Sequence, residues 1–153
     1  MTRTNAREIA VHMVFGLQYP DASAAEIFET RMDQEYYASL KNIDEVYAER
    51  PNEKQMSYIR TLVSGVQEKQ QELDAYIEKY AVGWKLNRIA RISRAIMEVA
   101  IYEMLYVEDV PTGAAINEAV ELCKRYDEEE TASFVNGILG SVAKEVSSDV
   151  SGV

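Results

Sequence analysis

Residues suited to catalysis are scarce in this chain of 153 residues. It has one histidine, His12, and one cysteine, Cys123, and it contains no glycine-rich loop of the kind that binds phosphate. Cys123 falls on the apolar face of its predicted helix, which favours a buried thiol over a nucleophile. His12 falls beside Glu8 on the first helix and is expected at the surface. We therefore expect a protein that is not an enzyme and that has no metal site, cofactor or small-molecule substrate.

A different chemistry, the binding of single-stranded nucleic acid, is indicated by the first predicted helix. One face of this helix is apolar and is expected to pack inward: Ala6, Ala10, Met13, Val14 and Leu17. Phe15 points away from that face, on the side of Arg7, Val11 and Gln18. An arginine that contacts phosphate and a ring that stacks on a base suit RNA. The alternative is that Phe15 packs under a neighbouring part of the protein.

Charge is distributed unevenly along the chain, which has 26 acidic and 16 basic residues and a formal net charge of −10. Residues 79–94 contain five basic residues and no acid, whereas residues 21–53 contain nine acids and three bases. A local basic surface is therefore compatible with an acidic protein. The alternative is that Arg91, Arg94 and Glu98 form an ordinary solvated helix face.

Composition and periodicity predict an all-α protein of six or seven helices in two small bundles, about 1–80 and 84–146. We expect a single domain over 1–146 with a frayed tail at 147–153. The predicted helices cover about 5–18, 22–40, 53–80 as one helix or two, 87–106, 111–126 and 127–146, with 41–52 as a connection. Asn5, Asn87 and Asp127 are expected to cap the helices that they begin, and Glu8 and Glu130 to complete capping boxes.

The cellular setting follows from what the sequence lacks. No apolar run approaches the roughly 20 residues of a membrane span, and the single cysteine excludes an intramolecular disulfide. We therefore expect a cytoplasmic protein without membrane contact.

Glu103 is expected to be buried, because it projects into the apolar side of the helix that begins near Arg88. A buried carboxylate needs hydrogen-bond donors, and the unpaired amides at the start of the next helix, near 112–117, supply them. We assign structural roles to Glu103 and to Asn117 of that next helix. The alternative is that the helix ends early and leaves Glu103 in solvent.

Several blocks of the sequence resemble, in order and spacing, the NusB family of bacterial transcription antitermination factors. They are NARE at 5–8, WKLNRI at 84–89, RAI at 94–96, AIYEML at 100–105, VP at 110–111, AINEAVELCK at 115–124 and FVNGIL at 134–139. The resemblance extends from residue 3 to about residue 143, and residues 22–52 contribute little to it.

The resemblance implies a two-bundle helical protein that performs no catalysis. NusB-like proteins pair with NusE, a small-subunit ribosomal protein, and bind the boxA element of ribosomal RNA transcripts within the RNA polymerase antitermination complex. In the family, an arginine-rich N-terminus and two aromatic positions lie at or near the RNA, and here these are Arg3, Arg7, Phe15 and Phe134. Glu130 matches an acidic position near the partner-protein surface.

Two departures from the family pattern bear on function. The N-terminus has two arginines where a denser cluster is common, and Ser93 stands where an acid usually precedes the basic residue. Because fewer phosphate contacts mean weaker RNA binding, RNA affinity without NusE is expected to be poor. Two alternatives stay open: a domain that acts in trans with a ribosomal RNA methyltransferase, and an adaptor that binds only proteins.

Overall fold

The structure is a computed structural model that describes residues 1–151, with side chains described through residue 147, and it is all-α over that range. The helices are α1 Arg3–Gly16, α2 Ala24–Met32, α3 Gln34–Leu40, α4 Glu53–Tyr80, α5 Arg91–Tyr106, α6 Thr112–Tyr126 and α7 Glu129–Ser151. Two short 3-10 segments lie at Glu45–Tyr47 and Leu86–Arg88. The predicted fold class is confirmed. Among the described residues, none of the helices combines the length and the apolar character needed to cross a membrane.

Threonine and aspartate side chains set helix starts that the sequence analysis missed. The Thr2 hydroxyl accepts a hydrogen bond from the Asn5 amide at 3.1 Å, so the predicted cap at Asn5 is wrong and α1 begins earlier. The single helix predicted over 22–40 is also wrong, because Asp33 leaves the helical conformation and its carboxylate accepts from the Tyr36 amide at 3.1 Å. Asp33 thereby begins α3 as an N-cap.

The caps predicted at Asn87 and Asp127 are wrong as well. Asn87 lies inside a 3-10 segment, and Ala90 precedes α5 without a side-chain cap. Asp127 ends α6; one carboxylate oxygen accepts from the Glu128 amide at 2.8 Å, and the other accepts from the Ser93 hydroxyl at 2.9 Å. Asp127 therefore joins the end of α6 to α5 instead of capping α7.

The chain divides into two compact units, Met1–Glu68 and a second unit that begins at Lys69. The division falls inside α4, which is one uninterrupted helix of 28 residues, whereas the sequence placed it near residue 80. At the other end, α7 continues to Ser151, beyond its predicted end near Val146. Of the predicted frayed tail, residues 152 and 153 lie outside the described residues.

A polar and aromatic cluster in the first unit organises the connection between α3 and α4. The Tyr47 hydroxyl accepts a hydrogen bond from Arg31 at 2.9 Å and lies 2.6 Å from Nδ1 of His12. Burial raises the pKa of Tyr47 to about 12. His12 is therefore a half-buried partner of this cluster, and its predicted place at the surface is wrong. The adjoining Glu8 is buried too, with only 1% of its surface exposed.

In the second unit, α5 is buried along most of its length and packs against α6 and α7. Its Glu98 is fully buried, so the alternative that Arg91, Arg94 and Glu98 form a solvated helix face is wrong. The reason is that α5 meets α4 on its other side: Gln70 donates to Glu98 at 3.2 Å, and Arg94 donates to Asp74 at 2.7 Å.

Glu103 is fully buried, as the helix geometry predicted. Its predicted contact with the start of α6 stays a prediction.

The burial of Glu98 makes a testable prediction about stability and pH. Burial raises the pKa of Glu98 well above the 4.5 of an exposed glutamate, the neighbouring Asp74 raises it further, and Arg94 opposes the shift. Above pH 4.5 the unfolded chain loses this proton while the folded protein keeps it, so stability falls as the pH rises toward the folded pKa. The slope is at most about 1.4 kcal/mol per pH unit. Glu98→Gln, which keeps the shape without the proton equilibrium, is expected to flatten this decline.

Urea unfolding between pH 5 and pH 8 measures the effect, with Glu121→Gln as the control because Glu121 is exposed on α6. Parallel stability curves for the wild type and Glu98→Gln would contradict a protonated Glu98 in the folded protein.

Candidate nucleic-acid interface

The N-terminal residues place one arginine at the surface. Arg3 is the first residue of α1 and is exposed, and its guanidinium lies over the ring of Tyr58 at 4.4 Å from the ring centroid. This cation–π contact involves the guanidinium itself, although the residue as a whole is exposed. Arg3 is therefore an exposed cation at the start of α1.

The predicted exposed stripe along α1 is wrong as a surface. Arg7 is 5% exposed and Val11 is fully buried, because α1 is buried on more than its apolar face. Phe15 is half-buried and packs edge-to-face with Tyr19 at 6.5 Å between ring centroids. Since Tyr19 is 52% exposed, the open aromatic edge of this unit is formed by Phe15 and Tyr19 and does not include Arg7.

The second unit presents a different aromatic pair. Phe134 of α7 is half-buried, and its ring centroid lies 5.8 Å from that of Trp84, which is 55% exposed. Trp84 was not predicted as a site residue from the sequence, where it belongs to the WKLNRI block at 84–89. A signal is present there all the same: Trp84 is the single tryptophan of the chain and lies inside the acid-free basic run at 79–94.

Glu130 and Asn117 line an open cavity of about 730 Å³ between α6 and α7. Both residues are exposed, and Glu129 and Lys124 line the same cavity. The structure thus brings the predicted partner-binding residue and the predicted structural residue to one groove. Two adjacent carboxylates at the start of α7 favour a partner group that carries positive charge over a phosphate.

The basic residues of the 79–94 run differ in what they contact. Arg94 pairs with Asp74, and Lys79 pairs with Glu145 of α7. Lys85 and Arg88 are exposed and form no ion pair within the described part of the chain. The exposed basic residues of the run are therefore Lys85 and Arg88, which lie before α5, and Arg91, the first residue of α5.

Cys123, which was considered as a nucleophile in the sequence, is packed inside the fold. Cys123 is fully buried, as predicted, and burial raises the pKa of its thiol, which disfavours the reactive thiolate. Its sulfur lies 3.5 Å from the Ser93 hydroxyl, which also donates to Asp127.

Among the described residues, Glu8, His12 and Asp44 place possible metal-ligating atoms within 4.8 Å of one another. Arg31 donates to the same Tyr47 hydroxyl that His12 contacts, so a guanidinium stands beside this group. Its positive charge disfavours a cation there, and we assign no metal to the cluster.

Comparison with known proteins places this helical architecture in a family. The NusB family model matches residues 4–144. The chain belongs to the NusB family. It is 41% identical to the transcription antitermination protein NusB of Acetivibrio thermocellus over 94% of this chain and 90% of that protein, and 36% identical to its Bacillus subtilis counterpart over 95% and 98%. Transcription antitermination is the function that this homology supports.

Solved structures agree with the family. T. maritima NusB superposes with a TM-score of 0.69 at 32% identity and covers 95% of this chain and 92% of that one. A chain solved in the crystal structure of a plectonemic RNA supercoil superposes with a TM-score of 0.73, covering 94% of both chains. At 22% identity, this second likeness shows the shared NusB-like fold alone.

The contrast between Arg7 and Arg3 predicts different effects of removing each guanidinium. Arg7→Ala is expected to lower the free energy of unfolding by about 1–3 kcal/mol, because the substitution removes a buried charged side chain together with its packing. Arg3→Ala, on the exposed end of the same helix, is expected to cost less than about 1 kcal/mol. Urea unfolding followed by circular dichroism compares the two. Equal, small effects would show that Arg7 also behaves as a surface residue.

Proposed function

We propose that this protein is a non-enzymatic antitermination factor that pairs with NusE and binds boxA RNA of ribosomal RNA transcripts within the RNA polymerase antitermination complex. The observation that carries the proposal is its similarity to NusB proteins over nearly its whole length. We place this activity in the bacterial cytoplasm, where transcripts are made.

The exposed groups of each unit support RNA contact. In the first unit, Arg3 offers a guanidinium at the start of α1, and Phe15 with Tyr19 offers an aromatic edge. In the second unit, Phe134 lies at the surface of α7. Cations that contact phosphate and rings that stack on unpaired bases are the groups with which proteins bind single-stranded RNA. Arg7 acts through the fold of α1, since its side chain is buried.

The net charge of −10 explains why a partner is needed. RNA binding gains much of its affinity from phosphate neutralisation, and an acidic chain supplies few such contacts. A ribosomal protein brings positive charge. The groove lined by Glu129 and Glu130 suits a basic segment of such a partner.

Binding of a fluorescein-labelled boxA RNA, measured by anisotropy with and without NusE, tests the proposal. NusE is expected to raise RNA affinity well above that of either protein alone, and the complex is expected to show a steeper salt dependence than this chain does. A scrambled RNA of the same length is the control for sequence. Equal affinity with and without NusE across the salt titration would contradict the cooperative model, and binding to NusE without any RNA binding would identify a protein-only adaptor.

Phe15→Ala tests the aromatic contact in the same assay. Stacking on one base is typically worth ~1–3 kcal/mol, so RNA affinity of the complex is expected to fall while helicity and melting temperature stay close to the wild type. Tyr36→Ala is a matched control, because Tyr36 is an exposed aromatic residue of α3 that has no proposed role. A loss of several kcal/mol in stability with RNA affinity intact would instead make Phe15 a core residue.

A further inference from the structure

The segment between α4 and α5 holds its tryptophan at the surface by defined backbone geometry. After α4 ends, Ala81 is buried and its amide bonds to the Ile77 carbonyl at 2.9 Å. Gly83 then adopts a φ of +83°, which reverses the chain, and the Trp84 amide bonds back to the Ala81 carbonyl at 3.0 Å. Since the left-handed conformation favours glycine, this turn directs the following residue outward.

The exposed side chains of this segment form a patch that the fold does not use. Trp84 is 55% exposed and Val82 is 85% exposed. Trp84 contacts Phe134 with the ring planes inclined by 56°, so one side of the indole is supported and the rest of its surface faces solvent. Leaving so large an apolar surface in water forgoes the free energy of burying it, and grouped exposure of this kind marks a binding site.

The cations around this patch are available to a ligand. Lys85 follows Trp84 directly, and Arg88 ends the 3-10 segment. Both are exposed and without an ion pair in the part of the chain that the structure describes, whereas Lys79 and Arg94 are paired with acids. An adjoining cavity of about 540 Å³ is lined by Trp84, Lys85, Leu86, Asn87 and, on the α4 side, Glu78. A phosphate is therefore expected near Lys85, and Arg88 lies three residues further along the same segment.

We propose that Trp84, supported by Phe134, stacks on an unpaired RNA base and that Lys85 and Arg88 contact the flanking phosphates. The inference rests on the proposed RNA-binding function and extends it to a site within the second unit. An indole stacks on any base, and adjacent cations neutralise the backbone, so the site takes single-stranded RNA with little dependence on base identity. The charge of this segment favours RNA over a protein segment, because Lys85 and Arg88 follow Trp84 in a run, residues 79–94, that contains no acid. Of the residues that line the cavity, Lys85 is basic and Glu78 is acidic.

The single tryptophan makes this contact directly measurable. Titrating the protein with boxA RNA, in the presence of a NusE whose tryptophans are replaced by phenylalanine, is expected to quench Trp84 emission in parallel with the anisotropy of labelled RNA. Trp84→Ala is expected to weaken RNA binding by the complex about five- to a hundredfold, and Trp84→Phe, which keeps a stacking ring, to recover part of the affinity. Tyr36→Ala serves again as the exposed aromatic control.

The salt dependence of RNA binding tests the phosphate contacts of Lys85 and Arg88. Lys85→Gln with Arg88→Gln is expected to lower affinity and to reduce the salt slope by about 1.4, because each cation neutralises one phosphate and a phosphate of a single strand contributes about 0.7 to the slope. The thermal unfolding of each variant is followed in parallel. If Trp84→Ala lowers the melting temperature, its loss of affinity is not used. The quenching of Trp84 in the wild-type protein then tests the stacking contact, and the salt slope of the double variant tests the phosphate contacts.

The outcomes separate this inference from the proposed function. RNA binding with unchanged Trp84 emission and undiminished affinity in Trp84→Ala would overturn the stacking site and leave the proposed function standing. A response of Trp84 to NusE alone, with none to RNA, would overturn it in favour of a protein contact. The absence of any RNA binding by the complex would overturn both.

Discussion

The fold of the second unit depends on α5, because this helix is packed against other helices on two sides. Along most of its length this helix has neighbours: α6 and α7 on one side, and the C-terminal part of α4 where Gln70 meets Glu98 and Asp74 meets Arg94. Burying a carboxyl group there costs folding free energy unless the group is protonated or hydrogen-bonded. One oxygen of Glu98 has no hydrogen-bond partner among the described residues. In the chain between α4 and α5, residues 82–85 are exposed, whereas Ile89 is buried. That segment contains Trp84.

The same packing determines which charges remain available. A run of five basic residues without an acid suggests one positive surface in the sequence, but Arg94 is used within the fold by Asp74, and Lys79 pairs with Glu145. The other three are exposed: Lys85 and Arg88 lie in the segment that holds the exposed indole, and Arg91 is the first residue of α5. An acidic protein can therefore present a small site for RNA, and a basic partner adds to it without any change in the net charge of this chain.

Sequence reasoning predicted those features that depend on a single amphipathic face. The all-α class, the start of α6 after Pro111 and the burial of Cys123 and Glu103 follow from helical spacing and from proline at a helix start. It failed for Glu98 and Arg7, because a helical wheel assigns one inward face and cannot indicate a second neighbour on the opposite side. It also missed the break at Asp33, since an aspartate within an apolar pattern caps a helix only when the backbone turns there. The proposed RNA and NusE partners came from the resemblance to NusB proteins and not from any periodicity.

The central claim is that this acidic chain contacts RNA through a few exposed aromatic and basic side chains when NusE is bound. Ultraviolet crosslinking of boxA RNA to the complex, followed by mass spectrometry of the peptides, tests it most directly. We predict RNA adducts on the peptides that contain Trp84 and Phe134 and none within the acidic segment 21–53. Adducts confined to NusE, or adducts within 21–53, would contradict the claim.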